Sequence, residues 1–188
     1  MNIVLPQWLR DEPLLPLVDD AAAMKWTIDL VHKNIEHGTG GPFASCIVDQ
    51  SDGSILGVGV NLVTSLNCSI LHAEIVAITN ASDNLGTWLL GGTRGLTLYA
   101  SAEPCAMCMG AIPWTGIRRV VIGARDEDIR AVGFDEGVKP TSWLAGYAER
   151  GIDVVQDVCR ADAMAALQAY IDRGGEVYNG HRHHDNKS

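Results

Sequence analysis

Apolar residues along this chain switch repeatedly between two spacings, and the switches mark out its elements. From Ala21 to His37, Met24, Ile28, Leu30 and Val31 recur at helical spacing, which predicts an amphipathic helix. Asp19 and Asp20 stand where N-caps belong, and Gly38-Thr39-Gly40-Gly41-Pro42 ends the pattern. Phe43 to Val48 and Ile55 to Val60 read as strands joined around Asp52-Gly53, a hairpin signal. A loop over Asn61 to Leu71 leads to His72, and from there to about Leu85 the chain is apolar on most sides, which predicts a buried helix. The glycine-bounded loop Gly86 to Gly95 precedes a strand, Leu96 to Ser101. A short helix, Cys105 to Ile112, is stopped by Pro113. Arg119 to Ile122 reads as strand, Asp126 to Ala131 as a turn or two of helix, and Pro140 to Glu149 as helix. Ile152 to Val158 reads as strand and Ala161 to Arg173 as the last helix. Residues 1–18 carry Pro6, Pro13 and Pro16 among Leu and Val, which predicts an extended arm lying on the body. Residues 176–188 read as a polar tail.

The order α-β-β-α-β-α-β-α-β-α suits an α/β fold in three layers, α/β/α, around a central five-stranded mixed sheet. The segment between the fourth and fifth strands holds a helix, which leaves room for a parallel crossover that a hairpin could not make. No internal repeat or linker divides the chain, so residues 19–175 read as one domain.

Composition narrows the function. The chain has 188 residues, 47% of them hydrophobic, enough to bury a core without staples. Its net charge is −9. A polyanion partner usually meets a basic face, so nucleic acid is not the expected partner. The N-terminus shows no basic stretch followed by an apolar one, and no apolar run reaches membrane-spanning length. Five cysteines, an odd number without a secretion signal, point to reduced thiols and a cytoplasmic protein.

The chemistry concentrates in His72-Ala73-Glu74 and Pro104-Cys105-Ala106-Met107-Cys108. Cys105 and Cys108, at i and i+3 of a helix start, share one face, and a helix N-terminus favours thiolate. His72 opens a second helix and can reach the same point. Glu74, two residues on, points elsewhere and flanks the metal without binding it. Two thiolates and one imidazole leave tetrahedral zinc one position short, where water becomes hydroxide near neutral pH. Taken singly, each part has a plainer reading. Cys105-x-x-Cys108 could be a redox pair or half of a structural zinc site, His72 a buried histidine, and Glu74 a helix-start acid. Together they form H-x-E…P-C-x-x-C, the signature of zinc nucleobase deaminases.

The chain resembles the cytidine deaminase-like superfamily, in its purine and tRNA deaminase branch, over residues 20–175. C-A-M-C-M-G-A-I, Cys105 to Ile112, is close to what that branch carries. Within the branch it is most similar to bacterial guanine deaminases. Gly40-Gly41-Pro42-Phe43, Asn61 and Gly133-Phe134-Asp135-Glu136 carry that likeness. The resemblance implies a homodimer and a Zn2+ enzyme turning guanine into xanthine and ammonia. It implies that zinc-bound hydroxide attacks C2 while Glu74 shuttles the proton to N3 and helps protonate the departing amine. It further implies that Ala73 N–H and Asn61 hold the base, that Phe43 and Trp114 pack it, and that Glu136, less so Asp135, bonds the amino group or ferries a proton.

Phe43 and Trp114 read equally well as core aromatics, Asn61 as a turn residue, and Glu136 as a solvated loop acid. Guanine deaminases tend to carry a second Asp where Glu136 stands. They can also place a terminal aromatic in a site, but here Tyr178 is followed by ten more residues, which argues against that role. His181-Arg182-His183-His184 reads as a tail rather than a metal site. The competing functions are a tRNA adenosine deaminase, a cytosine- or aminotriazine-type deaminase, a zinc scaffold without catalysis, and a redox dithiol protein.

Overall fold

A computed structural model describes residues 3–92 and 95–179; the histidine-rich stretch from His181 lies outside them. Five strands form one mixed sheet in the order β2-β1-β3-β4-β5. They are β1 (Ala44–Asp49), β2 (Ile55–Val60), β3 (Leu96–Ala102), β4 (Arg119–Ala124) and β5 (Asp153–Val155). β1 runs antiparallel to both β2 and β3, while β3–β4 and β4–β5 are parallel. The helices are α1 (Gln7–Arg10), α2 (Asp20–Glu36), α3 (Ala73–Leu85), α4 (Ala106–Ala111), α5 (Asp126–Ala131), α6 (Trp143–Glu149) and α7 (Arg160–Asp172).

Strand alternation builds the two outer layers. Cys46, Val48, Tyr99 and Val121 pack with Met24, Ile28 and Val31 of α2 and Ala163 and Leu167 of α7. Ile47, Leu98, Ala100, Val120 and Ile122 face the other way, onto Ala77 and Ala81 of α3 and Tyr147 of α6. Both faces of the sheet are therefore covered, and β1, β3 and β4 are buried almost throughout. Cys46 is an ordinary core thiol whose burial pushes its pKa up to about 12.

Several boundaries differ from the expectation. Residues 1–18 are not wholly extended, because Pro6 sits at an N-cap, where its missing N–H costs nothing, and Gln7–Arg10 then makes one helical turn. That turn buries Leu9. β5 stops at Val155 because Asp157 and Cys159 take left-handed backbone, φ +67 and +52, which no strand accommodates. α6 starts at Trp143, after Pro140 has accepted a turn bond from the Trp143 N–H.

The register brings one end of the sheet together. Ala44 pairs with Val60 and Ser45 with Ala100, so Phe43, Asn61 and the C-terminal end of β3 share an edge. α3 lies unusually close to β2. A Cβ on Gly59 would come within 2.2 Å of the Ala73 carbonyl oxygen and 2.4 Å of the Ala77 nitrogen. Glycine there lets the start of α3, which carries His72 and Glu74, settle onto the sheet edge.

Candidate active site

Three loop-to-helix junctions meet at that edge. His72 is the N-cap of α3, with extended backbone, and Leu62 N–H bonded to Leu71 O at 3.0 Å pins the loop before it. Cys105 is the N-cap of α4; Glu103 N–H bonds Ala124 O at 2.8 Å, and Pro104 then turns the chain into the helix. Cys108 lies one turn into α4 and is fully buried.

The imidazole nitrogen and the two sulfurs all lie within 4.8 Å of one another, the one such group among the described residues. Cys46, Cys68 and Cys159 stand apart from it. Cys105 Sγ is 3.4 Å from His72 Nδ1. Zinc–sulfur and zinc–nitrogen bonds of about 2.3 and 2.0 Å at a tetrahedral angle place such atoms about 3.5 Å apart. The spacing and the N/S donor set therefore fit one zinc ion.

The electrostatics agree. The hydrogen bond from Cys108, opposed by burial and aided by the His72 hydrogen bond and charge, draws the Cys105 thiol down to about 4. Cys108 is pushed far up by the same shared proton and by burial. A metal cation bound by this pair would displace the shared proton to solvent. Burial works to lower His72, but the hydrogen bond and charge of Cys105, with the charges of Glu74 and Glu136, together raise it.

Beside this group opens a cavity of about 300 Å³, at the small end of the ~300–1,000 Å³ range for ligand pockets. Glu74 reaches it from the first turn of α3, 7% exposed, and does not join the His72–Cys105–Cys108 group. Burial, then the Cys105 charge, raises its pKa. Glu136 enters from the loop after α5, also 7% exposed, and its carbonyl accepts the Ala106 N–H at 2.9 Å. Burial foremost, then the Cys105 charge, lifts it to about 8. The solvated reading of Glu136 therefore fails.

Asn61 also lines the cavity, fully buried. Its Oδ1 accepts from Gly41 N at 3.3 Å and Val63 N at 3.1 Å, while its Nδ2 has no partner among the described residues. Phe43 also lines the cavity, edge-on to Phe134 with ring centroids 5.0 Å apart. Ala73 is buried at the start of α3. Asp135 touches the cavity, but its carboxylate turns back to accept the Gly137 N–H at 2.9 Å and lies 3.8 Å from Arg130.

The cytidine and deoxycytidylate deaminase zinc-binding region matches residues 18–124, which contain both halves of the metal group. The chain belongs to that deaminase family. A guanine deaminase structure from Nitrosomonas europaea superposes with a TM-score of 0.86 at 37% identity, covering 90% of this chain and 95% of that one. The guanine deaminase of Bacillus subtilis is 39% identical over 113 residues, 60% of this chain and 69% of its own length. A tRNA-specific adenosine deaminase from Streptococcus pyogenes serotype M1 is 39% identical over 131 residues, 70% of this chain and 72% of its own.

Two features of the deaminase depart from the sequence reading. Trp114 does not pack the cavity of its own chain. Pro113 converts the end of α4 into a 3-10 turn, Ile112–Thr115, which swings the indole outward to 81% exposure. Conversely, Tyr178 and Asn179 line the cavity despite the residues that follow them. Tyr178 packs edge-on against Phe134 at 5.3 Å, and its buried hydroxyl has no partner among the described residues. Asn179 bonds the Asp135 N–H at 2.9 Å and the Gly133 carbonyl at 3.0 Å. Glycine at position 41 makes room for this docking, since a Cβ there would sit 2.3 Å from the Tyr178 hydroxyl. Among the described residues no helix is long and apolar enough to cross a membrane.

Proposed function

We propose that this deaminase converts guanine to xanthine and ammonia, with zinc held by His72, Cys105 and Cys108. The reading rests above all on the polar groups that surround the cavity. Guanine offers acceptors at O6 and N7 and donors at N1 and the 2-amino group. The unpartnered Asn61 Nδ2 supplies a donor, and buried Glu136 supplies a carboxyl for the opposite edge. A base with no acceptor at that amide would leave a buried donor unpaired, which costs about 1–3 kcal/mol.

Zinc bound there lowers the pKa of a coordinated water into the neutral range. Glu74, buried beside the metal group and raised in pKa, would take one proton from the attacking water and pass it to N3, then carry the second, from the hydroxyl left on C2, to the amine, so that the C–N bond breaks, ammonia leaves and the C2 carbonyl forms. The Ala73 N–H and Asn61 hold the base, and Phe43 packs it. Glu136 bonds the 2-amino group or ferries its proton. Phe134 and Tyr178 close the cavity and keep bulk water away.

A small cavity with the Tyr178–Asn179 segment docked against it favours a free base over a tRNA loop, as does the net charge of −9. The zinc-loaded protein should release ammonia from guanine far faster than from cytosine, adenine, adenosine or tRNA. Editing of tRNA with guanine untouched would assign the rival activity.

A further inference from the structure

We propose that Asn34, on the buried face of α2, is a positioning residue that sets the base-reading amide of Asn61. The inference rests on the reading that Asn61 contacts the base.

Asn34 is fully buried. Its Nδ2 donates to Gly41 O at 2.8 Å and to Asn61 O at 3.1 Å, so one side chain ties together the two backbone segments that flank the cavity. Its Oδ1 accepts from the Thr39 hydroxyl, and its backbone carbonyl accepts the Thr39 N–H at 3.1 Å. The Thr39 hydroxyl in turn accepts from Trp8 Nε1 at 3.3 Å, and Trp8 stacks on His37 with centroids 5.2 Å apart. The amide of Asn34 is therefore fixed in one orientation, with both N–H bonds committed to carbonyls.

The consequence falls on Asn61. Its own Oδ1 is occupied by Gly41 N and Val63 N, so the amide cannot flip without losing both bonds. Gly41 is held at its carbonyl by Asn34 and at its N–H by Asn61, and Asn61 is held at its carbonyl by Asn34. Gly40 permits this closeness, since a Cβ there would lie 1.9 Å from the Asn61 carbonyl oxygen. With every other polar atom of the pair committed, the free Asn61 Nδ2 is left as the donor at the cavity wall. Asn34 lies within the family match, but the Trp8 that braces its partner Thr39 precedes it.

The test is a double-mutant cycle of Asn34→Ala with Asn61→Ala, read as KM and kcat for guanine and as calorimetric binding of the base. Asn34→Ala opens space in a buried helix face, so Thr39→Val, which removes only the hydroxyl holding the amide, is run beside it. Each variant is checked for zinc content and melting temperature. In the parent background both Asn34→Ala and Thr39→Val are expected to raise KM and weaken binding by about five- to tenfold, the worth of one hydrogen bond, with kcat changed far less. In the Asn61→Ala background they are expected to add little. Equal losses in both backgrounds, a uniform fall in kcat, or a folded Asn34→Ala variant with unchanged KM would overturn the assignment. If the parent turns over a different base, the guanine reading fails on the parent alone, and the same cycle on that base still decides the role of Asn34.

Discussion

Glu74→Ala should lose turnover by about a thousand-fold or more while keeping fold and metal, since positioned general acid–base groups contribute roughly 10²–10⁴. The expectation follows from where the carboxylate sits. Glu74 is on the first turn of α3, two residues past His72, and is buried against the cavity rather than within the His72–Cys105–Cys108 group. Removing it takes away the proton carrier and leaves His72, Cys105 and Cys108 in place. Removing Glu74 also relieves the desolvation cost of a buried carboxyl, so the variant should melt close to the parent. Zinc content by atomic spectroscopy, melting temperature and steady-state turnover check the three parts together. A variant that loses metal in step with activity would make Glu74 a ligand. A variant that keeps substantial turnover would remove it from the mechanism.

Cys108→Ala has the opposite signature. Cys108 is fully buried and supplies a donor for which the described residues offer no substitute within the group. The expected result is loss of bound zinc and of turnover together. A ligand that binds only the folded chain stabilises it by RT ln(1 + [L]/Kd), about 4 kcal/mol at a thousand times Kd. Added zinc should therefore raise the melting temperature of the parent and leave that of Cys108→Ala nearly unmoved. The thiols should also resist oxidants in the zinc-loaded parent and become reactive after chelation, which separates a metal site from a redox dithiol. Full activity after chelation and dialysis would contradict the metal assignment.

The metal group was legible in the chain because each of its parts is set locally. A residue at a helix start has a known direction, so His72, Cys105 and Cys108 could be placed before any packing was known, and Glu74 could be placed off the metal. The three layers were legible for a similar reason, since alternation in Cys46, Ile47 and Val48 assigns side chains to opposite faces of a strand. What the sequence concealed depends on distant contacts. Tyr178 and Asn179 reach the cavity through Phe134, Asp135 and Gly133, some forty positions away, and nothing in the tail itself announces that. Trp114 misled because its orientation turns on how the chain leaves α4 at Pro113. The burial of Glu136 likewise rests on a loop, tied by its carbonyl to Ala106. Asn34 was invisible as a positioning group, for a polar residue within an apolar helical stripe shows its purpose only through the carbonyls it meets.

The decisive measurement is guanine turnover by the zinc-loaded chain in ¹⁸O-water, with ammonia and product followed together. Hydrolytic deamination predicts xanthine carrying the solvent label at C2, one ammonia for each xanthine, and loss of both on chelation. Guanine recovered unchanged, or xanthine without the label, would contradict the account.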